Sequence, residues 1–312
     1  MAYFNIFLEN FKAIKEEQRA IIRPLTLIFG SNSAGKSSFI HSLLLLREAM
    51  LTGSLDVHYT QLSGDSVDLG GYRQYVHGRK ANKNVKWGIE IEHKNLNESL
   101  QDTLSNVRRI SVELTFGFPT QKQKNRNTNE PKLIKYDLTT DDVQAVSLTY
   151  NGDKLKFEKI NIENSLIRDT VKNIIENYTT LINISSEDYD VLEKEIKRLC
   201  QVLVVSEGKL LPIGIDNLSS IDINLIHPIS KASRHDDILS VFRLFFPWIL
   251  NEILFGISET IEMNLNKLTY LGPLRSYPHR HFTLSYQQDS NWLAGEESLG
   301  ELFKKIKRYG IK

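Results

Sequence analysis

Cysteine is almost absent from this chain: Cys200 is the only one in 312 residues. No internal disulfide can form, which fits a reducing compartment such as the cytosol. Charge of one sign is not in excess. The formal net charge is +1, so no global field draws the chain toward nucleic acid or an anionic membrane, and only a local basic patch would do so. Long apolar runs are missing too; none approaches the about 18 residues that a bilayer-crossing helix needs. The N-terminus, MAYFNIFLENFKAIKEE, carries Glu9 and Lys12 too early for a secretion signal. What remains is 41% hydrophobic and 25% charged, ordinary for a soluble globular protein, with length for one large domain or two.

Against that plain background one stretch stands out, LTLIFGSNSAGKSSFIHSLLLL, Leu25 to Leu46. It reads as a buried strand, a glycine-bounded loop and a helix. Gly30, Gly35, Lys36 and Ser37 match the P-loop pattern of Gly, four residues, Gly, Lys and Ser or Thr. The glycines let the backbone bend so that N–H groups point inward, and these, with the positive end of the following helix, bind phosphate oxygens. The binding loop is Gly30, Ser31, Asn32, Ser33, Ala34, Gly35, Lys36, Ser37 and Ser38. Lys36 is spaced to reach the β- and γ-phosphates of ATP, and the Ser37 hydroxyl to ligate Mg²⁺. The run Leu25–Phe29 is apolar and β-prone, as a central parallel strand requires. Leu43–Leu46 is apolar on all sides, as in a helix covered from two directions.

Upstream, residues 3–14 alternate as a strand, and Ala20–Arg23 returns as a second one before Pro24. A hairpin leading into a P-loop strand resembles the head domain of ABC-type ATPases of the SMC/RecF and OLD-like kind. In these a strand ends in an Asn-Phe-Lys-like tripeptide, here Asn10-Phe11-Lys12, ahead of a Gly-x-Asn-x-x-Gly-Lys-Ser loop, with Asn32 at its third place. The segments Val67–Gly78 and Tyr270–Arg280 resemble a branch of small bacterial ATPases related to OLD proteins. By that resemblance Gln74 and His77 are candidates for a position near Mg²⁺ or the attacking water; the alternative is loop residues without nucleotide contact. Arg275 leaves a strand end, Leu268–Gly272, through a proline turn. It faces a phosphate or a partner subunit, or simply caps the turn.

Other segments imitate motifs. Leu62-Ser63-Gly64-Asp65 looks like the ABC signature but follows Lys36 too closely, and Val202–Glu207 looks like a Walker B strand but has Ser206 where the acid belongs, so it reads as a helix end or a core strand. Val85–His93, Arg109–Phe116, Ile134–Leu138, Ala145–Tyr150 and Leu155–Ile160 read as strands, with Asn151-Gly152-Asp153 a hairpin turn. Residues 119–132 hold no apolar side chain and read as a solvated loop, whose Lys122, Lys124 and Arg126 are the alternative contact for a nucleic-acid backbone. Helical spacing occupies 164–205, with a capping-box-like Ser185-x-x-Asp188, and returns after Asp236 or Asp237 with Pro247 kinking or splitting it. Gly295–Lys305 begins a last helix, and the chain ends in basic residues.

The expected fold is therefore an α/β P-loop NTPase of ABC-ATPase head type, with an antiparallel β-subdomain and a short helical insertion. Its divisions are an N-terminal lobe at 1–163, the insertion at 164–265, and a return to the ATPase core at 266–312. No apolar run ending in Asp-Glu and no well-placed signature appears, so the chain is either the N-terminal part of a longer ATPase or a head that binds nucleotide without hydrolysing it. The resemblance implies a cytoplasmic ATPase, dimeric through nucleotide-sandwiched heads, that serves anti-phage defence or DNA processing beside a nuclease or toxin effector. A nucleotide-gated scaffold and a RecF-like DNA-binding factor are the other readings.

Overall fold

The structure, a computed structural model, describes residues 4–31, 34–60, 67–119, 130–178, 185–216, 218, 234–268 and 270. Within them the chain is a mixed α/β fold. One open sheet of nine strands runs in the order β2-β1-β3-β4-β5-β6-β7-β8-β9. The strands are β1 (Phe4–Glu9), β2 (Gln18–Ile22), β3 (Val85–Glu92), β4 (Arg109–Gly117), β5 (Lys132–Thr140), β6 (Val143–Tyr150), β7 (Leu155–Ile160), β8 (Val204–Glu207) and β9 (Pro212–Asp216). Every neighbouring pair is antiparallel.

The register explains the core. Leu8 stands opposite Trp87, Trp87 opposite Leu114, Leu114 opposite Tyr136, Tyr136 opposite Leu148, and Leu148 opposite Phe157. All six are buried. Alternation along each strand thus becomes a continuous apolar row across six strands, the unit that stabilises a sheet. Short turns fix the antiparallel pairing of β5 with β6, β6 with β7 and β8 with β9. Asp141 and Asp142 join β5 to β6 at φ 47° and 68°, as a two-residue hairpin demands. The Asp141 carboxylate accepts from the Arg108 and Arg109 N–H groups at 3.2 and 3.0 Å.

Helices cover this sheet: α1 (Lys36–Thr52), the short α2 (Tyr72–Tyr75) and α3 (Glu98–Thr103), α4 (Ser165–Tyr178), α5 (Ser186–Val202) and α6 (Arg234–Asn266). The Ser185–Asp188 capping box is present at the start of α5. Pro247 neither splits nor ends α6, which runs for 33 residues. Ile238, Phe242, Phe246, Leu250, Ile257 and Ile261 form its buried column, at the spacing of one helix face. The Phe242 and Phe246 rings stack at 4.5 Å. Among the described residues α6 is the one helix with the length and hydropathy to cross a bilayer, and 39% of its apolar window is buried inside the fold.

Two expectations change here. Leu25–Phe29 is not a strand of this sheet, and its side chains are not buried: Leu25 is 78%, Leu27 66% and Phe29 83% exposed. Among the described residues the sheet holds no parallel pair for it to join. Residues 164–265 are also not a purely helical insertion, because β8 and β9 extend the same sheet beyond β7. Val204–Glu207, the imitation of a Walker B strand, is β8 of that hairpin, and the Glu207 carboxylate accepts from the Leu155 N–H. The signature imitation at 62–65, the basic residues Lys122, Lys124 and Arg126, and the last helix lie outside the described residues.

Candidate functional site

The site is built where the chain leaves the β2 edge. Pro24 and the Thr26 hydroxyl, which accepts from the Arg23 N–H at 2.8 Å, turn the chain out of β2. The glycine-bounded loop follows. Gly30 has φ 154° and Gly35 has φ 86°; the second is a left-handed value that a side chain would strain. Gly35 is also packed closely: a Cβ there would meet the Ala13 Cβ at 3.4 Å and the Ile14 Cγ1 at 3.5 Å.

Gly35 is the N-cap of α1, and no side chain caps the helix. The first turn holds no acidic residue. The N–H groups at this end, with the positive end of the helix dipole, therefore favour an anion. The Lys36 ammonium donates to the Gly30 carbonyl at 2.7 Å and the Ser31 carbonyl at 2.6 Å. The cation thus lies across the loop. Ser37 is exposed and Ser38 is buried. A groove of about 390 Å³ adjoins the loop, walled by Ala13–Glu16 of the β1–β2 turn, by Phe29 and by Phe39. Asn32 and Ser33 lie outside the described residues.

The structure brings together segments that are far apart in sequence. Phe11 is fully buried and bridges to Val76. The Lys12 N–H donates to the Tyr75 carbonyl at 2.6 Å, and the His77 N–H to the Asn10 carbonyl at 2.9 Å. The His77 ring lies 2.9 Å from the Lys12 carbonyl through Nδ1. Asn10 and Lys12 hold this knot with φ 56° and 48°. The Asn-Phe-Lys tripeptide and the segment around Gln74 and His77 are therefore one packed unit. Gln74 itself is exposed.

Sequence reasoning gave Lys12 and His41 no role. Here Lys12 Nζ lies 2.7 Å from His41 Nδ1 on α1, so the tripeptide is tied to the helix that starts at Lys36. Burial, and then the Lys12 charge, lowers the His41 pKa to about 4. The ring is neutral near pH 7 and accepts from the ammonium. Burial also lowers the Lys12 pKa, against the opposing pull of Asp68. The tripeptide was the available signal, but its contact with position 41 depends on a helical phase and a turn that only the fold supplies. Arg275 lies outside the described residues. Among the described residues no cluster of His, Cys, Asp and Glu could hold a metal ion.

Compared with known families and with curated proteins, the chain matches no family model and no individual sequence.

Proposed function

We propose that the loop Gly30–Ser38 binds the phosphates of ATP, and that the chain forms an ABC-type, OLD-like ATPase head. The observation that carries this reading is the Lys36 ammonium across the loop, 2.7 and 2.6 Å from two of its carbonyls, at the start of an uncapped helix. Phosphate oxygens would offer Lys36 charged acceptors in place of neutral carbonyls, and charge-assisted hydrogen bonds are about twice as strong. The N–H groups of α1 would face the same anion. Ser37, next to Lys36, would ligate Mg²⁺, which would neutralise charge on the β- and γ-phosphates. The adjoining groove has room for the rest of the nucleotide.

In this reading a cytoplasmic ATPase pairs two heads across nucleotide. The resemblance adds a defence or DNA-processing role beside a nuclease or toxin effector, or DNA itself. No apolar run in the sequence ends in Asp-Glu, which favours, for this chain alone, a nucleotide-gated scaffold over turnover. Calorimetry of the wild-type chain with Mg·ATP and with ADP tests the central point. Binding is expected, and Lys36→Ala should abolish it while leaving the circular dichroism spectrum unchanged. No heat from either nucleotide rejects the proposal.

A further inference from the structure

We infer that Lys12 is a positioning residue for the phosphate-binding loop: held to His41, its turn clamps the start of α1 and fixes where the N–H groups after Gly35 point. The inference rests on the nucleotide reading above and deepens it at the same site.

Two contacts make the clamp. At the start of α1, Ala13 and Ile14 lie directly against Gly35, where a Cβ would stand 3.4 Å from the Ala13 Cβ and 3.5 Å from the Ile14 Cγ1. Further along the helix, the Lys12 ammonium lies 2.7 Å from His41 Nδ1. Positions 35 and 41 are about 9 Å apart along the axis, at 1.5 Å per residue. The unpaired N–H groups that would face phosphate belong to the first turn, between those two contacts. A shift of residues 12–14 would therefore slide or tilt the N–H groups themselves.

The side of the clamp away from α1 is firm. The Phe11 N–H donates to the Ile14 carbonyl at 2.9 Å, and the Ile14 N–H to the Phe11 carbonyl at 2.8 Å. The Lys12 N–H donates to the Tyr75 carbonyl. The Phe11 and Tyr75 rings, both buried, lie 5.4 Å apart. Residues 11–14 are thus a closed turn seated on an aromatic core.

That turn is built with features a mere structural tie would not need. Asn10 and Lys12 take left-handed φ values without being glycine, a strain that clusters at functional sites. Lys12 is half-buried, and burial lowers its pKa against the pull of Asp68. An apolar side chain would pack in such a place at less cost. The ammonium adds direction. It can only donate, so His41 Nδ1 accepts and Nε2 carries the hydrogen. The ring, and the helix that bears it, is held in one orientation. A binding site needs its groups placed to within about 0.5 Å, by side chains that are themselves held.

Calorimetry of the full chain with Mg·ATP, beside thermal melting of each variant, tests the inference. Lys12→Met and His41→Leu should each weaken binding by about tenfold or more, the scale of one charge-assisted hydrogen bond. The double variant should bind no worse than the weaker single one, because both changes remove one contact. Lys12→Arg keeps a donor and His41→Asn keeps an acceptor, and each should restore most of the affinity. Arg243→Met, which breaks the ion pair between α5 and α6, is the control: it should melt earlier and bind as wild type does. Unchanged affinity in Lys12→Met, losses that multiply in the double variant, or an equal loss in Arg243→Met overturns the inference and leaves the nucleotide reading standing. If Lys12→Met does not fold, His41→Leu against His41→Asn decides, and equal affinities overturn the inference. A wild type that binds neither ATP nor ADP rejects the nucleotide reading, and the inference falls with it.

Discussion

Protonating His41 works against the contact that holds Lys12. Its ring accepts from an ammonium 2.7 Å away, and an imidazolium could not. The fold lowers the His41 pKa from 6.5 to about 4. Between those values the unfolded chain binds a proton that the folded chain refuses. Stability therefore falls as pH drops from 6.5 toward about 4, and the contribution of this group is constant above that window. Thermal unfolding of wild type and His41→Gln across pH 4 to 7 checks this. The wild type should lose stability more steeply on acidification than the variant. Parallel curves would assign the acid sensitivity to other groups. The contact also explains why the sequence was only partly legible at this scale. Lys36 is marked by its spacing from two glycines, whereas the pairing of Lys12 with His41 leaves no local pattern.

α5 and α6 are joined by a bidentate ion pair, with Arg243 Nε 2.8 Å from Glu195 Oε1 and Arg243 Nη2 2.9 Å from Glu195 Oε2. Glu195 is buried, with Arg198 a second cation at 3.6 Å. Removing Arg243 leaves the buried Glu195 only the more distant Arg198. Arg243→Met should cost about 3 kcal/mol, read from urea midpoints, and Glu195→Leu in the same chain should recover most of it. A loss near the about 0.5 kcal/mol of a surface change would mean that water already screens the pair. Helices and strands were well marked in the sequence because each has its own period. Arg109–Phe116 alternates and became β4, and Ser185-x-x-Asp188 became a cap. Leu25–Phe29 shows where such reading stops. Its composition says that both faces want cover, but composition does not say which element provides it. On α1, by contrast, Leu44, Leu45 and Leu46 are all buried, as in a helix covered from more than one direction. The parallel sheet expected from that run is not formed among the described residues: every neighbouring pair is antiparallel, even β7 and β8, whose connection carries α4 and α5 and is long enough for a crossover.

At the scale of the molecule, the loop and the open run beside it lie outside the nine-stranded sheet, past its β2 edge. An apolar surface next to the proposed phosphate-binding loop is suited to a contact that forms only when nucleotide is bound. The anion would neutralise Lys36, and the bound nucleotide would offer a second surface to a partner head. A ligand can shift such an equilibrium only by its preference for the paired state. The prediction is a change of mass. Sedimentation should give a species near 35.9 kDa without nucleotide and a dimer with Mg·ATP. Lys36→Ala should stay monomeric under both conditions. Leu27→Lys, in the exposed run, should weaken the dimer while changing the monomer's stability by no more than about 0.5 kcal/mol. If wild type is equally dimeric without nucleotide, the apolar run acts alone and ATP does not gate the pairing. If Mg·ATP binds and the mass stays that of one chain, the paired-head reading fails for this chain while the phosphate site stands.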